Sequence, residues 1–346
     1  MAHAQMRRAG NTQGGSCLEA LPFRYYTLVD SSALQKGGVI VGARKNTWIA
    51  YVFLAPALAV LALLVFYPLV QGISYSFTDM SQYNMGSKFA PPSYEFIGFK
   101  NYTDLFASIF QPESVFRDVI VQTLIWTFTN VFFHFTLGLI LALLLNRNIK
   151  GKGIYRMLLI VPWAVPSFIA AFSWTWMYNE TYGVLNLVLQ KLGIGAIPWL
   201  GDSFWAMFSV ILVNVWLGVP FMMITLLGGM QSIPQSLYEA ARVDGASAWR
   251  QFWTITLPLL KPVAATSTVL GVIWTFNLFN VIFLVTRGGP VRATEILVTY
   301  AYREAFLNWN FGMAATYGVV ILSFLLAFTI IYQRMLKTGS NEGVYY

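Results

Sequence analysis

The chain has 346 residues, of which 57% are hydrophobic and only 10% charged. Water-soluble domains carry about 25% charged residues, so most of this surface does not face water. The formal net charge of +8 does not indicate nucleic-acid binding, because the basic residues lie between apolar runs and form no single patch; membrane topology accounts for them better. One cysteine, Cys17, excludes an internal disulfide and a cysteine metal cluster, and two histidines, His3 and His134, cannot build a histidine-rich metal site.

Residues 1–47 are polar, rich in Gly, Ser and Gln, and lack an apolar core before Trp48. They are expected to form a disordered cytoplasmic tail and not a cleavable signal peptide. A helix that crosses a bilayer needs about 20 apolar residues. Six stretches qualify: Trp48–Val70, Val119–Leu145, Ile154–Met177, Phe204–Gly228, Val263–Val285 and Phe311–Tyr332. They are continuously apolar and not alternating, which excludes a transmembrane barrel. The expected fold is an all-α membrane protein with a six-helix domain over residues 48–336 and a short cytoplasmic tail at 337–346.

The loop Thr78–Asp118, with Tyr83, Pro91, Pro92, Tyr94 and Phe96, reads as a small ordered cap. In the second span Asn130 and His134 form an i, i+4 pair. No acidic partner lies in any of the six spans, so packing is favoured there over a proton relay. The short loop Asn146–Gly153 holds three basic residues and no acid. Pro162 and Pro166 are expected to kink the third span. Polar groups inside a membrane are costly and face a bundle interior or a cavity. Ser167, Asn214, Thr275, Asn277 and Asn280 are such groups, and helix–helix hydrogen bonding competes with ligand binding as their role. Sugars need amides and hydroxyls for their hydroxyl groups and flat rings for their C–H faces; Trp163 and Trp216 could supply such rings.

Between the fourth and fifth spans, Gln231–Pro262 departs from the apolar pattern. Pro234 suits the first position of a helix, and Leu237–Val243 continues it. Asp244-Gly245 stops it, because glycine tolerates the left-handed conformation at a helix end. Ser247 can cap a second helix, whose Trp249, Phe252, Trp253 and Thr256 form a mostly apolar stripe. Leu257-Pro258 is expected to end that helix. An interfacial amphipathic segment explains the stripe but not the small residues around Ala240, Ala241, Gly245 and Ala246, which would let another protein approach closely.

With the N terminus inside, the inner segments hold fifteen Lys and Arg and the outer ones seven, which places both termini in the cytoplasm. No G-x-x-x-x-G-K-[ST] phosphate loop is present. A secondary transporter would need intramembrane carboxylates or internal repeats, and a membrane-embedded enzyme would need a cluster of acids, histidines or a nucleophile with its base. The spans contain neither.

Glu239-Ala240-Ala241-x-x-Asp244-Gly245-Ala246, followed by Phe252, Ile255, Leu257-Pro258 and Pro262, resembles the EAA loop of ABC importer permeases. The resemblance implies that Glu239, Ala240, Ala241, Asp244, Gly245 and Ala246 form a coupling helix that docks on a cytoplasmic ATPase. Residues 151–334 are similar to the carbohydrate branch of this family, and most of all to the larger permease subunit of maltose importers. Thr286–Pro290, Tyr300–Phe306 and Phe311-Gly312 carry the likeness to the branch, and Leu159–Phe168 and Val213–Met223 carry that to the maltose subunit. The chain lacks the two extra N-terminal helices and large outer domain of the enteric form. The family's maltose-contacting positions fall on Trp163, Ser167, Asn214, Leu217, Gly218 and Phe221, with Trp163 and Phe221 replacing tyrosines. In the fifth span they fall on Gly271, Thr275 and Leu278, with Asn277 and Asn280 on the same turns. Gly218 is expected to leave room for a sugar ring beside the backbone.

The resemblance therefore implies a non-enzymatic permease subunit, multi-pass in the bacterial inner membrane, that moves an α-glucoside such as maltose, maltodextrin or trehalose. The alternatives are another sugar or derivative, for example glycerol-3-phosphate, or a secondary transporter. It also implies no cofactor in this chain, with ATP and magnesium held by the ATPase. The implied partners are a second homologous permease, two ATPase copies, an extracytoplasmic sugar-binding protein and membrane lipid, without nucleic acid.

Overall fold

The computed structural model describes residues 47–338. The expected tails, apart from Thr47, Lys337 and Thr338, lie outside the described residues, together with His3 and Cys17. The chain divides into two compact units, Met1–Leu63 and Leu64–Tyr346. In the first, α1 (Thr47–Leu61) is apolar from Trp48 on, and its side chains are exposed from Tyr51 onward.

The second unit contains α2 (Tyr67–Tyr75), α3 (Lys100–Ser108), α4 (Val115–Asn146), α5 (Lys152–Ala164), α6 (Ser167–Met177), α7 (Val184–Lys191) and α8 (Ser203–Gln231). It continues with α9 (Gln235–Val243), α10 (Ala248–Gln251), α11 (Leu257–Phe276), α12 (Phe279–Val285), α13 (Leu297–Phe306) and α14 (Phe311–Thr338). Among the described residues there are isolated bridges but no strand. Five helical stretches are long and apolar enough to cross a membrane: Tyr51–Tyr75, Val115–Asn146, Ser203–Gln231, Ala248–Val285 and Phe311–Leu336. A sixth arises when α5 and α6, bent by 91°, count as one span.

The long helices start where a side chain satisfies their free N–H groups. Ser114 accepts from the Arg117 N–H, and Asp202 accepts from the Phe204 and Trp205 N–H groups. The α4–α8 pair is central. Gly138 lets the helices approach, since a Cβ there would lie 2.9 Å from Met222. Below it, Ala142, Met223, Leu226 and Leu260 are buried together. Nearer the other end, Trp126, Ala171, Tyr178, Val213 and Ile282 form a second buried cluster. Asn186 fixes the α7 connection by accepting from the Ile197 N–H and Trp199 Nε1 and donating to the Ile197 carbonyl.

Proline acts differently at three points. Pro166 breaks the third span outright. Val165 ahead of it is extended at φ −75°, ψ 127°, as a residue before proline prefers, and α6 starts afresh. Pro162 stays inside α5. Pro258, expected to end the α10 helix, does not. Phe252–Thr256 widens into a π turn, and the Leu257 N–H donates to the Phe252 carbonyl. The wider turn relieves the clash of the ring with the preceding turn, so one helical stretch runs from Ala248 through Pro258 into α11. The fifth span is interrupted later, at Asn277 and Leu278.

Candidate functional site

The breaks in the third and fifth spans lie beside one cavity of about 430 Å³, within the range of small-molecule sites. Trp163, Ser167, Asn214, Leu217, Gly218, Phe221, Gly271 and Thr275 all line it, as do Leu278, His134, Met222 and Trp274. Five helices contribute. On either side of their break, α5 presents Trp163 and α6 presents Ser167; α8 presents Asn214, Leu217, Gly218 and Phe221 on successive turns of one face; α11 presents Gly271, Trp274 and Thr275; α4 presents His134.

Three rings form an aromatic wall. Trp163 and Phe221 have centroids 6.3 Å apart, and Phe221 and Trp274 are 4.9 Å apart. The polar groups are Ser167, Asn214, Thr275 and His134, and no Lys, Arg, Asp or Glu lines the cavity. Asn214 is 4% exposed, and its Nδ2 has no hydrogen-bond partner among the described residues. Buried polar atoms are nearly always satisfied, so this is a donor, closed off beside the cavity, for which the protein supplies no partner. Ser167 is held from across the breaks by Asn280 Nδ2, which donates to its Oγ at 3.1 Å.

Asn277 does not line the cavity. It caps α11 at the surface, and its Nδ2 donates to the Ile273 carbonyl one turn back. Trp216 also lies elsewhere, edge-on to Trp174 at 5.9 Å. Gly218 corrects the sequence reading: the space beside it is filled by the His134 ring, whose atoms a Cβ would strike. Sequence reasoning assigned His134 to packing and did not place it at the cavity, and it missed Trp274. The pairing of His134 with α8 is a tertiary fact, and Trp274 looked like an ordinary apolar residue of the fifth span.

The segment after α8 forms a second candidate surface. Pro234 sits at the N-cap of α9, one position before the expected one. Gly245 takes φ +76°. Its N–H donates to the Arg242 carbonyl, and the Ala246 N–H donates to the Ala241 carbonyl at 2.8 Å, the paired bonds that close a helix end. Ser247 Oγ caps α10 by accepting from the Arg250 N–H. Thr256, at the end of the apolar stripe, is buried and meets the Tyr238 hydroxyl at 2.9 Å, which ties α9 to the next helix. Glu239, Ala240, Asp244 and Gly245 are exposed, and Ala241 and Ala246 half-buried. Val243 is 89% exposed, so a small-residue turn is presented beside an apolar side chain. Arg147, at the end of α4, shares a cleft with Tyr238, Trp249 and Phe252, which places the basic loop and this turn at the same end of the second unit.

Outside both sites, Glu295 is buried beside α13. Arg303 Nε donates to its Oε1 at 2.7 Å, and Arg292 lies 4.0 Å from Oε2. Burial pushes this carboxyl above the usual carboxylate range, opposed by the Arg303 hydrogen bond and charge. No group of three or more His, Cys, Asp or Glu able to hold a metal occurs among the described residues.

Residues 134–337 match the model of the family described as binding-protein-dependent transport system inner membrane component. A probable ABC transporter permease protein of Brucella suis is 35% identical over 86% of this chain and all of its own length. The trehalose/maltose transport system permease protein MalF of Thermococcus litoralis is 38% identical over 70% of this chain and 81% of its own length. The fold also matches a chain of a bacterial ABC transporter that imports the acidic polysaccharide alginate, with a TM-score of 0.69, 25% identity, and coverage of 84% of this chain and 96% of that one. The apolar helices are thus those of a multi-pass membrane protein, and the chain belongs to the family of binding-protein-dependent transport system inner membrane components.

Proposed function

We propose that this chain forms part of the pathway of an ATP-driven importer for a neutral oligosaccharide of α-linked glucose, with maltose or maltodextrin first and trehalose second. The carrying observation is the cavity lining: three aromatic rings beside Ser167, Asn214 and Thr275, without a charged side chain. Rings suit the C–H faces of a sugar, and amides and hydroxyls suit its hydroxyl groups. A phosphorylated or acidic sugar would call for a cationic partner, so the lining favours a neutral substrate over glycerol-3-phosphate. The trehalose/maltose transport for which the Thermococcus relative is named agrees with this choice.

In this reading a second homologous permease completes the pathway, and an extracytoplasmic binding protein delivers the sugar. Two ATPase subunits, which hold ATP and magnesium, dock on Glu239, Ala240, Ala241, Asp244, Gly245 and Ala246. ATP-driven closure of that pair biases the bundle toward one of two states by differential affinity. Uptake of labelled maltose, trehalose and glycerol-3-phosphate by the reconstituted importer tests the substrate. Maltose or trehalose is expected to be carried, and transport of glycerol-3-phosphate alone overturns the reading. Asn214→Ala should lower sugar transport about 5- to 150-fold, the equivalent of about 1–3 kcal/mol for a lost buried partner, with assembly and basal ATPase intact. Transport equal to the parent's removes Asn214 from the pathway.

A further inference from the structure

We infer that His134 is a sugar-contacting specificity residue of this cavity, acting with Asn214 as a matched acceptor and donor for substrate hydroxyls; the inference rests on the sugar-importer reading above. His134 is 5% exposed and lines the cavity from α4. Its Nε2 lies 2.9 Å from the Asn214 carbonyl oxygen. A carbonyl only accepts, so Nε2 carries the hydrogen of that bond. The lining holds no carboxylate that would favour a second proton on the ring. A neutral ring therefore has a bare lone pair at Nδ1, which meets no protein donor among the described residues.

The same contact holds an unused donor close by in sequence and space. Asn214 offers its backbone oxygen to His134, while its own Nδ2 has no partner. One residue pair thus leaves an unpaired acceptor at the cavity and an unpaired donor buried beside it, which a turn of the Asn214 amide would present. A hydroxyl both donates and accepts, so one hydroxyl, or two adjacent ones, would satisfy both. An anionic or purely apolar ligand would satisfy at most one. Gly218 is part of this arrangement, because only a residue without a Cβ lets the imidazole lie against α8. The histidine is thereby packed in place before any ligand arrives, which lowers the ordering cost of binding.

Glutamine is the informative replacement, because its side-chain N–H₂ can take over the bond to the Asn214 carbonyl while its one acceptor, Oε1, branches from Cδ and does not fall at the place of Nδ1. The reconstituted importer is assayed with maltose, trehalose and their monodeoxy analogues. For the sugar that is carried, His134→Gln should raise the half-saturating concentration for transport about tenfold, the order of one hydrogen bond, in complex assembled to the parent's level. One monodeoxy analogue should cost the parent a similar factor and cost His134→Gln almost nothing further, since the two changes delete the same interaction. Equal losses for parent and variant across all analogues would assign His134 to packing alone and overturn the inference while leaving the sugar reading intact. Failure of the parent importer to carry any of these sugars would overturn both. His134→Ala, which also loses the contact to α8, should reduce the amount of assembled complex; an assembled variant with the parent's sugar discrimination would likewise count against a ligand role.

Discussion

Glu295 shows how a single ionisable side chain can be held at a membrane protein's periphery. Its side chain is 1% exposed, with Arg303 at 2.7 Å and Arg292 at 4.0 Å. Gly288 lies against it at φ +84°, where a Cβ would sit 3.3 Å from Oε1. Removing Arg303 leaves a buried carboxylate with only the half-exposed Arg292 beside it, at a cost of up to about 3–5 kcal/mol. Because burial dominates, the folded pKa of Glu295 lies above its ordinary value. Its contribution to stability is therefore complete below the unfolded value and is lost as pH rises through the folded value. Arg303→Ala removes two of the effects that lower that value and should widen the window of loss upward. The solubilised variant is expected to melt well below the parent at pH 7.5, with a smaller gap near pH 5. Adding Glu295→Gln should recover much of the deficit at pH 7.5. A gap that is the same at both pH values, and is not rescued by the second change, would deny the carboxylate this role.

At the scale of elements, the turn between α9 and α10 carries the most specific prediction. Gly245 at φ +76° closes α9 through the bonds from its own N–H and that of Ala246. Valine is strained at positive φ, so Gly245→Val should displace the exposed turn while the apolar spans still insert. Binding-protein-stimulated ATPase in the reconstituted complex should fall sharply, and Glu239→Lys should act in the same direction by reversing an exposed charge. Normal stimulation in both variants would take coupling away from this segment. This turn was legible in the sequence because glycine, proline and serine act locally. The continuation through Pro258 was not, because a π turn at Phe252–Thr256 leaves no compositional mark. The third span lay between these cases: Pro166 marked a kink, but nothing in one dimension shows that it becomes a 91° break. The cavity was legible on α8 and α11, where polar and small residues interrupt apolar runs. Its α4 wall was not, because His134 takes its meaning from Gly218 and Asn214 on another helix.

At the scale of the molecule, the 91° break makes topology a question of parity. Five long apolar stretches alone would put the chain termini on opposite sides of the membrane. Counting α5 and α6 as one span gives six and puts them on the same side. Lys and Arg are the charges that resist transfer outward, and the loop after α4 holds Arg147, Lys150 and Lys152. Arg147 borders the same cleft as Tyr238 and Trp249, so the basic loop and the candidate coupling turn share one end of the second unit. If that end is cytoplasmic, the turn lies where an ATPase can reach it, and the loop between α2 and α4 lies on the far side. An epitope at Pro91 should then be labelled in spheroplasts without permeabilisation. Epitopes at Lys150 and beyond Tyr346 should be labelled only after permeabilisation. Labelling of Pro91 and the C terminus from the same side would mean that α5 and α6 re-enter instead of crossing. Labelling of Lys150 from outside would invert the chain and remove the turn at Gly245 from any cytoplasmic partner.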